Sequence, residues 1–178
     1  KKIALDETYL TYQAKGFVNQ NRRGISKDKI GIACAIDEDG NYVVHTAGRG
    51  RPTSNTLIDI FKNSICPGSV VISDSQRSYH QLMDALNIKW VKIPSGEKSK
   101  DGYTLEMVNR LHDRIKAFFR GKRNVMTHYL QGYLALFQYS ELHTMMIGSK
   151  MFQDEFMKIN NILSGIRNRG YMPRSQFI

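Results

Sequence analysis

The chain has 178 residues, of which 26 are Lys or Arg and 16 are Asp or Glu, so its formal net charge is +10 at pH 7. This length suits one domain that buries its own core, and the positive charge favours a polyanionic partner, nucleic acid ahead of an anionic membrane surface. No apolar run approaches the roughly 18 residues that span a bilayer, no signal-peptide pattern is present, and Cys34 and Cys66 fit no zinc pattern, so we expect a soluble, intracellular protein.

The first part of the chain predicts three strands. Residues 3–6 form a short apolar run that ends in a carboxylate, and the polar, basic residues 11–29 predict a loop or a hairpin excursion. The second strand, residues 30–36, is followed by the turn-forming sequence Asp-Glu-Asp-Gly-Asn and by an antiparallel partner at residues 42–46.

The middle of the chain alternates between helices and strands. Ser54 or Asn55 can cap a helix, and residues 69–74 predict a buried strand that again ends in a carboxylate. A further helix leads to a strand at residues 88–93, which is followed by a loop rich in Gly, Ser and Lys. This order predicts a mixed α/β sheet covered by helices.

The stretch from residue 105 to residue 122 predicts a helix with two distinct faces. Its apolar stripe consists of Leu111, Ile115 and Phe118. Asn109, His112 and Lys116 recur at i, i+3 and i+7, which places an amide, an imidazole and an ammonium on another face. A solvated basic helix would show the same spacing, so this face gains meaning only together with carboxylates from elsewhere in the chain.

The two strand-end carboxylates are Asp6 and Asp74, and they could meet at one edge of such a sheet. With the amide oxygen of Asn109 they suit a pair of Mg²⁺ or Mn²⁺ ions, which prefer hard oxygen donors. Two ions about 3.5–4 Å apart can activate a water or a 3′-hydroxyl at a phosphodiester. Lys116 could hold a phosphate, and His112 could contact phosphate, orient the nucleophile or act as an acid or base. Spacing alone supports only a metal-dependent nuclease.

Three segments carry a resemblance to a known family. They are LDETYL around Asp6, VVISDSQRSYHQL around Asp74, and the run from Asn109 to Phe137. The sequence resembles the catalytic domain of bacterial insertion-sequence transposases of the DDE superfamily, in the branch with an Asp-Asp-Asn-Lys signature. Asp74 and Asn109 are 35 positions apart (109 − 74), and Asn109 and Lys116 are 7 apart (116 − 109), as in that branch.

The resemblance implies an RNase H-like fold, a mixed sheet with helices on both faces. It implies Asp6, Asp74 and Asn109 as ligands of Mg²⁺ or Mn²⁺, with two ions, and Lys116 on the DNA, while the role of His112 in the catalytic set stays open. The implied activity is cleavage of DNA at the element's ends and strand transfer of 3′-hydroxyls into target DNA, by a homo-oligomer in the bacterial cytoplasm, associated with the nucleoid.

Contacts with DNA are expected mainly through phosphates. The expected residues are Lys116, Arg110, Arg114, Arg120, Lys122, Arg123, Arg49 and Arg51. Residues 1–178 are expected to form a single catalytic domain with a helical extension at residues 140–178, which includes a last helix near residues 151–166. In such transposases a separate N-terminal region recognises the element's ends, and none is expected in this chain.

Several hypotheses stay open at this point. A metal-dependent nuclease or resolvase of the same fold would hydrolyse DNA without joining a 3′-hydroxyl, and a domesticated or decayed relative would bind DNA without catalysis. A membrane-binding basic helix is a more distant alternative. Glu7 and Glu106 are possible substitute ligands, although Glu7 would point to the opposite face of its strand from Asp6.

Overall fold

The computed structural model describes residues 1–16, 24–97, 99–122 and 125–146. The chain divides into two compact units, residues 1–134 and residues 135–178. The first unit contains the described strands and the helices that cover them. Only the end of one helix is described in the second unit, so the predicted helix at residues 151–166 lies outside the described residues.

A five-stranded sheet forms the centre of the first unit. Its strands are β1 (Lys2–Thr11), β2 (Lys29–Asp37), β3 (Tyr42–Arg49), β4 (Val70–Asp74) and β5 (Lys89–Ile93). Their order across the sheet is β3-β2-β1-β4-β5. The β1–β2 and β2–β3 pairs are antiparallel, whereas the β1–β4 and β4–β5 pairs are parallel. The predicted mixed α/β sheet is confirmed, and β1 is its central strand.

The turn between β2 and β3 is held by its own side chains. Asp37 Oδ1 accepts hydrogen bonds from the backbone N–H groups of Asp39 at 3.0 Å and of Asn41 at 2.8 Å. Gly40 has a φ of +86°, which glycine adopts without a steric cost. Burial alone would raise the pKa of Asp37, but hydrogen bonds from Asn41 and Lys1 outweigh it and lower this pKa to about 2. Strands β2 and β3 pair antiparallel across this turn, which confirms the predicted antiparallel pair.

Four α-helices lie in the described part of the chain. They are α1 (Ser54–Phe61), α2 (Ser78–Ala85), α3 (Glu106–Arg120) and α4 (Leu130–Met146). A two-stranded hairpin of β6 (Ser99–Lys100) and β7 (Tyr103–Thr104) precedes α3. The cap of α1 is Thr53, whose hydroxyl accepts a hydrogen bond from the Thr56 N–H at 3.3 Å, so the predicted caps Ser54 and Asn55 are one and two residues too late.

The sheet has a core on each face, because side chains alternate along its strands. Residues of β1, α1 and α2 form the core on one face, among them Ile3, Leu5, Leu57, Phe61, Tyr79 and Leu82. Helix α3 contacts β1 and β2, and its Val108, Leu111 and Ile115 are fully buried. The predicted helices on both faces are confirmed, although Phe118 of the predicted stripe is only half-buried.

Candidate active site

Asp6 and Asp74 lie side by side at the point where β4 ends. Strand β4 pairs in parallel with the first residues of β1, and Ile72 is the partner of Ala4. Two residues further along the same register, Asp74 is the last residue of β4 and Asp6 continues β1. The prediction that both strands end in a carboxylate is wrong for Asp6, because β2 pairs with β1 as far as Thr11 and extends it.

The two carboxylates interact electrostatically. Burial, helped by the nearby charge of Asp74, raises the pKa of Asp6 to about 6, although the Glu7 N–H and the Lys116 ammonium act in the opposite direction. The Glu7 N–H donates to Asp6 Oδ1 at 2.8 Å. The structure therefore brings together Asp6, Asp74 and Lys116, three of the predicted site residues.

Helix α3 carries the other two predicted site residues, Asn109 and His112, as well as Lys116. Asn109 and Lys116 are exposed, whereas His112 is buried and its Nε2 has no hydrogen-bond partner among the described residues. Burial and the Lys116 charge lower the pKa of His112 to about 4, while contacts with the Asp6 backbone and with Asp113 act in the opposite direction. His112 is thus a neutral imidazole against β1, and within the described residues the Asn109 side chain makes no hydrogen bond to either aspartate.

The site offers a divalent cation oxygen donors from two carboxylates. Within the described ranges, no group of three His, Cys, Asp or Glu side chains lies close enough to hold a metal ion. Two adjacent carboxylates are present, however, and a divalent cation would offset both the burial and the repulsion by Asp74 that raise the pKa of Asp6. The pair of aspartates offers the hard oxygen donors that Mg²⁺ or Mn²⁺ prefers.

Glu7 lies behind this site on the other face of β1. Its two carboxylate oxygens accept hydrogen bonds from the Tyr79 hydroxyl at 2.9 Å and from Gln76 Nε2 at 3.3 Å. Burial raises the pKa of Glu7 to about 7, and the hydrogen bonds lower it only in part. Glu106, the other possible substitute ligand, is exposed and forms an ion pair with Arg110.

Sequence reasoning singled out neither Gln76 nor Tyr79. The Gln76 backbone N–H donates to Asp74 Oδ1 at 3.0 Å, so this residue contacts both Asp74 and Glu7. A polar side chain two residues after a strand-end acid was the available signal. It is also typical of a helix start, and therefore did not stand out.

The predicted DNA contacts fall into separate groups. Lys116, Arg120 and Lys122 line one cavity of about 350 Å³, whose apolar part includes Leu10, Ile30 and Phe119. Arg49 lies 3.9 Å from the centre of the Tyr12 ring, and Arg114 lies 5.5 Å from that of Tyr42. Arg51 is exposed, Arg110 pairs with Glu106, and Arg123 lies outside the described residues.

The strand order and the helices on both faces define an RNase H-like domain, as predicted. The family described as "ISXO2-like transposase domain" matches residues 2–141, and the chain belongs to this family. The predicted membership of the DDE superfamily of insertion-sequence transposases is thus confirmed.

The fold is also that of a solved viral assembly. The chain matches a chain of the simian T-cell lymphotropic virus intasome, determined by cryo-EM in complex with the PP2A regulatory subunit B56 gamma. The match has a TM-score of 0.51 and 15% identity, and covers 74% of this chain and 45% of that one. The chain thus spans less than half of that protein's length. No curated protein matches, and none of the described helices is long and apolar enough to cross a membrane.

Proposed function

We propose that this chain is a transposase catalytic core that cleaves DNA phosphodiesters at the ends of its element and transfers the 3′-hydroxyls into target DNA. The observation that carries the proposal is the pair of carboxylates, Asp6 and Asp74, at the end of β4 in a domain of the ISXO2-like transposase family. Because burial disfavours the ionised form of Asp6, keeping this carboxylate at the site costs free energy, which a purely structural residue would avoid.

Asp6, Asp74 and Asn109 would hold Mg²⁺ or Mn²⁺, with room in the donor set for two ions. Such ions, when bound, supply Lewis-acid stabilisation of phosphodiester oxygens and lower the pKa of a nucleophilic hydroxyl. The protein's part is to hold the two aspartates adjacent and to keep the exposed Asn109 on the same side of α3 as Lys116.

The cations of α3 and of the following loop would hold the DNA backbone. Lys116 is close enough to Asp6 to lower its pKa, and Arg120 and Lys122 line the same cavity. Phosphates bound along this line would lead to the carboxylate pair. Arg110, Arg114, Arg49, Arg51 and Arg123 would add phosphate contacts further from the site.

His112 is best placed to orient Asp6. It is buried and contacts the Asp6 backbone, and its lowered pKa leaves it a neutral imidazole at pH 7, without the acidic proton of an imidazolium that general-acid catalysis needs. The active complex would be a homo-oligomer on DNA in the bacterial cytoplasm, associated with the nucleoid. Residues 1–178 would form one catalytic domain, with residues 140–178 as its helical extension.

A strand-joining assay tests this function against its alternatives. A labelled duplex with a free 3′-hydroxyl is incubated with supercoiled plasmid, Mn²⁺ and the chain. Covalent joining of label to plasmid supports the transposase. Nicking without joining would favour the nuclease or resolvase, and DNA binding without either would favour the non-catalytic module.

The controls for this assay are charge-neutralising variants. Asp6→Asn and Asp74→Asn are expected to abolish joining. Asp84→Asn, which removes the same charge from an exposed position on α2, is expected to leave joining unchanged. Joining that persists in both site variants would refute the assignment of the aspartates.

A further inference from the structure

Glu7 is a buried carboxylate that adjoins Asp6 in sequence but lies on the opposite face of β1. Only 8% of the residue is exposed. Its Oε1 accepts a hydrogen bond of 2.9 Å from the Tyr79 hydroxyl, and its Oε2 accepts one of 3.3 Å from the Gln76 amide. Because a buried carboxylate is costly, packing alone would be better served by an apolar side chain. The position therefore calls for a function other than packing.

Gln76 connects Glu7 to the candidate metal ligand Asp74. Its side-chain Nε2 donates to Glu7 and also to Ser78 Oγ at 2.7 Å, which fixes the side chain at two points. Its backbone N–H donates to Asp74 Oδ1 at 3.0 Å. Gln76 thus ties the buried Glu7 carboxylate to the half-buried Asp74, and its backbone N–H binds Asp74 Oδ1 and not Oδ2.

Tyr79 anchors the same arrangement in the core. Its side chain is fully buried, and its ring meets the Trp90 ring edge-on, with 6.4 Å between the centroids and 88° between the planes. Trp90 Nε1 donates to Ser73 Oγ at 2.8 Å, and Ser73 Oγ donates to the Asp74 carbonyl at 3.0 Å. Asp74 is therefore held through its side chain by Gln76 and through its backbone by Ser73.

We propose that Glu7, Gln76 and Tyr79, here called the Glu7 support, position the Asp74 carboxylate beside Asp6 for divalent-cation binding. The inference rests on the proposed function, because the support acts only through the aspartates. Its members are positioning residues, and Glu7 is not itself a ligand. Hydrogen-bonded partners behind metal ligands typically contribute 10- to 100-fold in metal affinity, because they fix the orientation of the ligand before binding.

Two variants break the support with little change in packing. Tyr79→Phe keeps the ring but removes the hydroxyl that binds Glu7, and Gln76→Ala removes the half-buried link itself. Each is expected to weaken Mn²⁺ binding about 10-fold. The matched controls are Tyr103→Phe in β7 and Gln81→Ala on the exposed face of α2, which should leave the affinity unchanged.

A pair of substitutions at Glu7 separates positioning from direct ligation. In Glu7→Gln the side-chain oxygen can still accept from Tyr79, and Gln76 can turn its amide to accept from the new N–H group. Mn²⁺ affinity should therefore stay within about threefold of the unmodified chain, whereas Glu7→Ala should weaken it about 10-fold, as in the other support variants. A loss in Glu7→Gln as large as in Asp6→Asn would make Glu7 a ligand and overturn the inference.

The experiment is a calorimetric Mn²⁺ titration of the whole chain and of each variant, with circular dichroism to confirm folding. The electron paramagnetic resonance spectrum of bound Mn²⁺ is recorded in parallel, because it reports the ligand arrangement. Weaker binding together with a broadened or altered spectrum in folded Tyr79→Phe and Gln76→Ala supports the inference.

Two results would overturn it in distinguishable ways. If Asp6→Asn abolishes Mn²⁺ binding but the support variants keep the parent affinity and spectrum, with only a lower melting temperature, the support is merely structural and the proposed function stands. If the unmodified chain binds no Mn²⁺, or Asp6→Asn binds as tightly, both the support and the metal site of the proposed function fail.

Discussion

Replacing Asp6 by Asn should stabilise the protein in the absence of metal. The pKa of Asp6 rises from 3.8 to about 6 on folding, because burial and the neighbouring Asp74 disfavour its charge. At about 1.4 kcal/mol per pKa unit, the ionised side chain costs about 2–3 kcal/mol of the free energy of unfolding. Asn retains an oxygen for the Glu7 N–H, which now donates to Asp6 Oδ1, so the variant loses the charge but keeps this hydrogen bond.

The sign of this effect depends on pH. Since the folded pKa is raised, the proton is bound more tightly in the folded state, and folding is favoured below pH 4 and penalised above pH 6. The gain of the variant should therefore be full at pH 8, shrink as the pH falls through 6, and vanish near pH 4. Urea denaturation in EDTA at these three pH values measures it.

Metal should reverse the order of stability. At a Mn²⁺ concentration about 1,000-fold above its dissociation constant, the unmodified chain should gain about 4.1 kcal/mol, which exceeds the cost of its charge, whereas Asp6→Asn should gain little. Asp84→Asn is the matched control for a lost surface charge and should track the unmodified chain throughout. Equal stabilities at pH 8 in EDTA, or a gain of the same size at pH 4, would refute the reasoning.

Three further predictions concern other parts of the first unit. Asp37→Ala should destabilise the protein at pH 7, and the difference in unfolding free energy should fade as the pH drops from about 4 to about 2, because the folded pKa of Asp37 is lowered. Urea titrations across this range measure that difference, and a constant value would contradict the prediction. Lys116→Ala should weaken duplex binding and lower the slope of log affinity against log salt by about 1, whereas Lys89→Ala, at another exposed position, should not. Anisotropy titrations at several salt concentrations measure both slopes, and equal slopes would remove Lys116 from the phosphate contacts. Ser73→Ala should cost about 1–3 kcal/mol of unfolding free energy, because the Trp90 indole loses its hydrogen-bond acceptor. The fluorescence emission of this single tryptophan should shift as well, and an unchanged spectrum would contradict the prediction.

Features that depend on local chemistry were predicted well from the sequence. The turn at residues 37–41 carries its own hydrogen bonds, so its residues determine it without help from distant parts of the chain. The buried face of α3 follows from spacing in the same way, since Leu111 and Ile115 recur at the helical period.

The end of a strand depends on its neighbours, and there the sequence was misleading. Asp6 resembles a strand terminus because the apolar run stops, yet β1 continues to Thr11 because β2 offers it a partner along that whole length. The adjacency of Asp6 and Asp74 was still predicted, since it requires only that β4 end beside β1. The bond between Tyr79 and Glu7 joins residues 72 positions apart, and no periodicity in either segment indicates it.

The position of Asp6 and Glu7 on opposite faces of β1 limits how this gene segment can change. A one-residue insertion or deletion early in β1 would exchange the faces of every side chain that follows it. Glu7 would then turn towards α3, and Asp6 would enter the core where Tyr79 and Gln76 now bind a longer side chain. We therefore expect substitutions to accumulate in this strand far more readily than changes in its length, and a library of single-codon insertions between Lys2 and Asp6 should contain no active member.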